Sequence, residues 1–157
     1  NIIGTANVTL HCERFKKKMI YFSTNYVYPG IDGDYNEQSE LKPFNNYGWS
    51  KLGGECAVHH YKDSLILRIC MNARPCPHDK AFTDVISSHM FNDKAAKITL
   101  KLLDEVGIVN VGGEAQSVYD FAVQEKPDVS KGSSKEVDDV KVNPNCSMNV
   151  DKMKSLL

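Results

Sequence analysis

MIYFSTNYVYPG, residues 19–30, and the YGWSK that follows at residues 47–51 decide how this chain is read. Met19 to Ser23 is a short apolar run rich in strand formers, without strict alternation. Such a run predicts a strand covered on both faces, the pattern of a parallel sheet. Pro29, Gly30, Gly33 and Pro43 then mark residues 29–46 as loop. Tyr47 to Tyr61 reads as a helix carrying Leu52, Cys56, Ala57 and Val58. Gly53-Gly54 inside it costs on the order of 1 kcal/mol per Gly relative to Ala. A Gly pair at that place also permits close packing of the helix on its neighbour.

On that helix Tyr47 and Lys51 lie at i and i+4 and share one face. A phenol, with a reference pKa of about 10, is a poor acid–base catalyst at neutral pH. A nearby ammonium favours the phenolate and pulls that value down. The pair can then exchange a proton with a carbonyl or an alcohol. Thr24 ends the strand, and active sites of open α/β sheets lie at the carboxyl ends of strands. Its hydroxyl is placed to hydrogen-bond the same substrate oxygen. A bare Tyr and Lys four apart are common on surface helices. The ordered combination is more specific: buried strand, Ser-Thr, Tyr-Val-Tyr, a Pro/Gly loop, then Tyr-Gly-x-Ser-Lys opening a helix.

Outward from this segment, residues 1–18 place Ile3, Ala6, Val8, Leu10 and Phe15 among polar residues at a spacing compatible with one helical face, with Lys16-Lys17-Lys18 suited to a helix C-terminus. Leu65 to Cys70 is a second buried-strand candidate. Residues 71–82 read as irregular, and Thr83 to Phe91 as a short strand or extended segment. Asn92 or Asp93 is positioned to cap a helix reaching Leu103. Ile108 to Val111 reads as a third strand closed by the turn Gly112-Gly113. Ser117 is a cap for a short helix to Gln124, residues 125–147 read as loop, and Val150 to Leu157 as a terminal helix. The order points to an α/β layered fold whose right-handed crossovers set successive parallel strands side by side.

Bulk properties bound the function classes. The 157 residues hold nineteen basic and twenty acidic side chains, a net charge of −1, which argues against broad electrostatic capture of nucleic acid or anionic membrane. No apolar run is long enough for a membrane span, and no signal peptide is visible. Five cysteines with no CxxC suggest neither a disulfide framework nor a zinc knuckle, and Cys76 with His78 is too small a set for a metal site. The expectation is a cytoplasmic protein with reduced thiols and no metal. The start at Asn1 fits a processed chain, a truncated one or a fragment.

The residues quoted so far resemble the extended short-chain dehydrogenase/reductase superfamily, in the branch of dTDP-4-dehydrorhamnose reductase and related sugar-nucleotide-binding proteins. The matching pieces are NIIGTANV (1–8), FSTNYVYPG (22–30), Tyr35-x-Glu37, YGWSKLGGE (47–55), LILRI (65–69), GIVNVGGEAQS (107–117) and SMNVDKMKSLL (147–157). The resemblance implies a partial Rossmann-like parallel sheet with flanking helices plus a small C-terminal α/β substrate lobe, divided as 1–71 and 72–157. It implies NADP- or NAD-dependent reduction of a nucleotide-linked keto sugar. Tyr47 would be the acid–base residue and Lys51 would lower its pKa and bind the nicotinamide ribose. Thr24 would polarise the substrate carbonyl, with Ser23 the alternative for that role and a cofactor contact. Asn25, Tyr26 and Arg74 are candidate substrate contacts, Arg74 because a guanidinium matches phosphate geometry. His11 and His89 read as structural.

Two departures accompany the resemblance. No Gly-rich phosphate loop precedes the catalytic segment, so the cofactor half of the dinucleotide fold is missing. The sheet would then have an exposed edge, completed by a homo-oligomer or a missing N-terminal segment. The connection from Arg68 to Phe82 is also short. Beside the reductase stand a non-catalytic sugar-nucleotide-binding or regulatory subunit on the same fold, and an NAD-dependent epimerase or dehydratase.

Overall fold

The computed structural model describes residues 1–137 and 142–157. In chain order its elements are α1 (Ile2–Arg14), β1 (Met19–Thr24), α2 (Asn46–His59), β2 (Ser64–Ile69), β3 (Met71–Asn72), β4 (Lys80–Phe82), β5 (Ile86–Ser87), β6 (Met90–Phe91), α3 (Asn92–Lys101), β7 (Gly107–Val111), β8 (Gln116–Ser117), α4 (Val118–Ala122), β9 (Ser130–Gly132) and α5 (Asp151–Ser155). The fold is α/β, a partial Rossmann-like sheet with flanking helices and a smaller C-terminal lobe.

The three apolar runs form one parallel sheet in the order β1-β2-β7, as the right-handed crossover rule predicts. Met19 pairs with Ser64 through to Thr24 with Ile69, and Leu65 with Gly107 through to Ile69 with Val111. Every residue of β2 is buried, as a central parallel strand requires. Leu65, Leu67, Val109 and Val111 pack with Ala95 and Ile98 of α3 and Met153 of α5. On the other face Met19, Tyr21 and Ile66 pack with Val58 of α2. Each fully buried Leu or Val contributes roughly 1.5–3 kcal/mol relative to exposure. β7 comes from beyond residue 71, so the C-terminal half of the sequence supplies the sheet's third strand.

Arg68 also points to the α2 face and is wholly buried. Its Nη2 donates to Glu55 Oε2 at 2.8 Å and its Nη1 to the Tyr28 hydroxyl at 3.0 Å. The Tyr28 hydroxyl in turn donates to Asn110 Oδ1 at 2.8 Å. Glu37 accepts from the Asn110 backbone N–H at 2.8 Å. Buried charges are tolerated only when paired and hydrogen-bonded in this way.

The structure corrects several expectations. β1 is only partly covered on its second face: Ile20 packs against the core and Thr24 is buried, but Phe22 is 47% exposed. The apolar residues of α1 are not buried either, and at about 100° per residue Val8 and Phe15 lie on a different side of the helix from Ile3 and Leu10. Ile3, Val8, Leu10 and Phe15 are exposed, and Thr9 is its one buried residue. Neither Asn92 nor Asp93 caps α3; Phe91 precedes the helix without a side-chain cap. Residues 71–82 and 125–137 are less irregular than predicted. β3 pairs with β6, and β4 with β9, so these short strands depend on distant partners that local patterning does not reveal. The loop expected over 125–147 includes residues 138–141, which lie outside the described residues. Ser117 does cap α4, accepting from the Asp120 N–H at 2.9 Å.

Candidate active site

β1 ends at Thr24, where the chain turns into a single 3-10 turn, Asn25–Val27. The Thr24 hydroxyl caps that turn, accepting from the Tyr26 N–H at 3.3 Å, and lies 3.4 Å from Asn25 Oδ1. Across from it, α2 begins under an Asn45 cap, whose Oδ1 accepts from the Gly48 N–H at 2.8 Å. Gly48 is needed here because a Cβ at that position would overlap the Tyr26 carbonyl. That close approach sets Tyr47, on the first turn of α2, edge-on to the Tyr26 ring, with centroids 6.3 Å apart.

The result is a cleft of about 240 Å³ at the carboxyl ends of β1 and β2. Ser23, Thr24, Asn25, Tyr26 and Tyr47 line one side, and Cys70, Met71, Asn72 and His89 the other. Five predicted site residues therefore meet in one place. Tyr47 is 51% exposed and accessible to a ligand. Burial pushes the Tyr26 phenol up to about 12, so it remains a neutral hydroxyl at physiological pH. Asn25 is tied to the C-terminal lobe, its Nδ2 donating to the Cys146 carbonyl at 3.2 Å and meeting Ser87 Oγ at 3.5 Å. An Asp could not donate either bond, which accounts for an amide at this position.

Lys51 and Arg74 do not line this cleft. Lys51, one turn beyond Tyr47, holds its Nζ 4.3 Å from the Tyr21 ring centroid. Burial lowers its pKa, while Glu55 acts in the opposite direction. Arg74 pairs with Glu125 at 3.0 Å and Asp93 at 3.9 Å, and its guanidinium lies over the Phe91 ring. Among the described residues no group of three or more His, Cys, Asp or Glu side chains could hold a metal ion. No described helix is long and apolar enough to cross a membrane.

Residues 1–100 match the family described as the RmlD substrate binding domain. The chain belongs to that family. Over 70 residues it is 45% identical to the probable low-salt glycan biosynthesis reductase of Haloferax volcanii, a match covering 42% of this chain and 23% of that protein. It is 34% identical over 70 residues to methionine adenosyltransferase 2 subunit beta of Xenopus tropicalis, covering 44% of this chain and 21% of the relative. Its fold is that of a dTDP-4-dehydrorhamnose reductase of Bacillus anthracis solved with NADP. That likeness has a TM-score of 0.86 at 21% identity, and covers 99% of this chain and 65% of the solved one. The matched stretch is thus about a quarter or less of these curated relatives' length.

Sequence reasoning missed the far wall of the cleft. His89 and Asn72 arrive there through the β3–β6 pairing, in which Asn72 sits beside Phe91 and Met71 beside Met90. Dipeptide-length strands carry no periodicity of their own, so the sequence offers no signal for them. The Glu55–Arg68 pair was equally hidden, although its two members lie in matched segments.

Proposed function

We propose that this RmlD-family chain carries the acid–base and substrate-binding part of an NADP- or NAD-dependent nucleotide-sugar reductase. The observation that supports this most is the meeting of Thr24 and Tyr47 in one cleft at the carboxyl end of the sheet. Thr24 holds a hydroxyl whose proton can turn to a carbonyl oxygen, and Tyr47 stands exposed beside it to give that oxygen a proton as it becomes an alcohol. Lys51 would supply the nearby positive charge that makes a phenol a better proton donor and acceptor. In the same division of labour, residues 1–71 serve the cofactor side and 72–157 the substrate lobe. Arg74 is a candidate phosphate contact at its edge, once released from Glu125.

The residues present fit one end of a dinucleotide. Ser23 Oγ is buried beside Tyr47 without a hydrogen-bond partner, and Tyr47 and Lys51 lie on one helix near it. Tyr47 and Lys51 would hold the nicotinamide ribose, and Ser23 would face the sugar beside it, the alternative role to a cofactor contact. When bound, NADP or NAD supplies the hydride. The described residues contain no Gly-rich loop opening a helix, the feature that would cradle the pyrophosphate.

A second reading is a non-catalytic subunit on the same fold, acting by binding alone. It is favoured by the position of Lys51, which faces Tyr21 rather than the cleft, and by the likeness to a protein named as a subunit. Turnover separates the two. Reduction of a dTDP-linked 4-keto sugar with NADPH should fall about 10²-fold or more in Tyr47→Phe. Activity indifferent to that substitution would sink the reductase reading. Binding of the sugar nucleotide with no turnover would favour the subunit.

A further inference from the structure

The cleft holds two polar atoms that no described residue satisfies. Ser23 Oγ and His89 Nδ1 are each buried and without a hydrogen-bond partner. Ser23 is 2% exposed. A buried polar group left unpaired is destabilising, so such atoms in a cleft wall point to a ligand that completes them. His89 is also held in place. Its ring lies against Phe121, 5.4 Å between centroids. The Gly113 N–H donates to the Ser88 carbonyl at 2.8 Å, and the Met90 N–H to the Cys70 carbonyl at 3.1 Å. A Cβ at Gly113 would overlap the His89 carbonyl, so the glycine pair after β7 lets this backbone approach.

The charge of the wall defines the ligand. None of the described residues lining the cleft is Lys, Arg, Asp or Glu. Burial pushes His89 down to about 4, which leaves its ring neutral at physiological pH. Among these described residues a phosphate would find no cation. A sugar hydroxyl donates and accepts, and so suits both a neutral imidazole nitrogen and a serine hydroxyl.

We propose that His89 is a substrate-contact residue, which together with Ser23 takes a hydroxyl or carbonyl oxygen of a neutral sugar ring in this cleft. The assignment rests on the nucleotide-sugar reading above and extends it to the far wall. It places the sugar between β1 and the β3–β6 pair, with the charged diphosphate outside.

The test titrates the chain with dTDP-glucose and with dTDP alone, by calorimetry and by nitrogen NMR of the histidine side chains. The His89 Nδ1 resonance should move on saturation with dTDP-glucose and not with dTDP. His89→Phe should weaken dTDP-glucose binding about tenfold, Ser23→Ala similarly, and His89→Gln should recover part of the loss. Binding of dTDP should be equal in all four proteins. If dTDP-glucose binds the unaltered chain with the His89 resonance unmoved, the assignment fails and the nucleotide-sugar reading stands. If neither compound binds, both fall. Because the resonance is read on the unaltered chain, a variant that misfolds leaves the decision intact.

Discussion

Asn25 and His89 show how single side chains fix this site. Asn25 ties the end of β1 to the Cys146 carbonyl by donating a proton at 3.2 Å. Asn25→Asp removes the donor and sets a carboxylate against that carbonyl. The expected cost is about 1–3 kcal/mol of stability, measured by urea unfolding, with Ser87→Ala much milder. His89 gives a pH dependence. Its folded value is about 4 against an ordinary 6.5, so between those limits the unfolded chain binds a proton that the folded chain refuses. Its contribution is therefore full above pH 6.5, falls as pH drops through the window, and levels off below about 4. The loss is on the order of 3 kcal/mol by linkage. His89→Gln should remove that part of the slope, while a slope unchanged in the variant would show that His89 is not its source.

At the scale of the elements, α2 carries the site and Tyr21 sets its height. The Tyr21 hydroxyl donates to the Lys51 carbonyl at 3.2 Å. A Cβ at Gly54 would overlap that hydroxyl, whereas a Cβ at Gly53 would meet only the side chain of Ile2, at 2.9 Å from Cγ1 and Cδ1, and Ile2 is half exposed and has room to shift. Adjacent glycines should thus behave oppositely. Gly54→Ala should lower stability by about 1–3 kcal/mol through overpacking, and Gly53→Ala should be neutral or raise it by up to about 1 kcal/mol through helix propensity. Thermal unfolding of the two variants checks the contrast. The sequence already allowed for close packing at this pair, which the structure uses at Gly54, and it carried β1, β2, β7, α2 and the Ser117 cap, because each is a local pattern. It did not carry the Asn45 cap, the Glu55–Arg68 pair or the β3–β6 pairing. Those join residues whose partners are set by the assembled sheet.

Across the whole molecule, two features follow from where the sheet stops. β1 is an edge strand, and the apolar residues Phe22, Ile3, Val8 and Leu10 near that side are exposed. An amphipathic pattern predicts burial only if something lies beneath it, so the sequence could show the apolar residues of α1 but not their exposure. The candidate site was legible as far as Ser23, Thr24, Asn25, Tyr26 and Tyr47, which sit on β1, the 3-10 turn after it and α2. Its opposite wall comes from residues 70–89 and depends on the tertiary fold. The proposed sugar-nucleotide site lies between these two walls. A backbone chemical-shift map of the chain with dTDP-glucose added tests it. Shifts should concentrate at residues 23–26, Tyr47, residues 70–72 and His89. Shifts confined to the apolar groove of Phe22, Ala96 and Leu100, or no shifts at all, would contradict it.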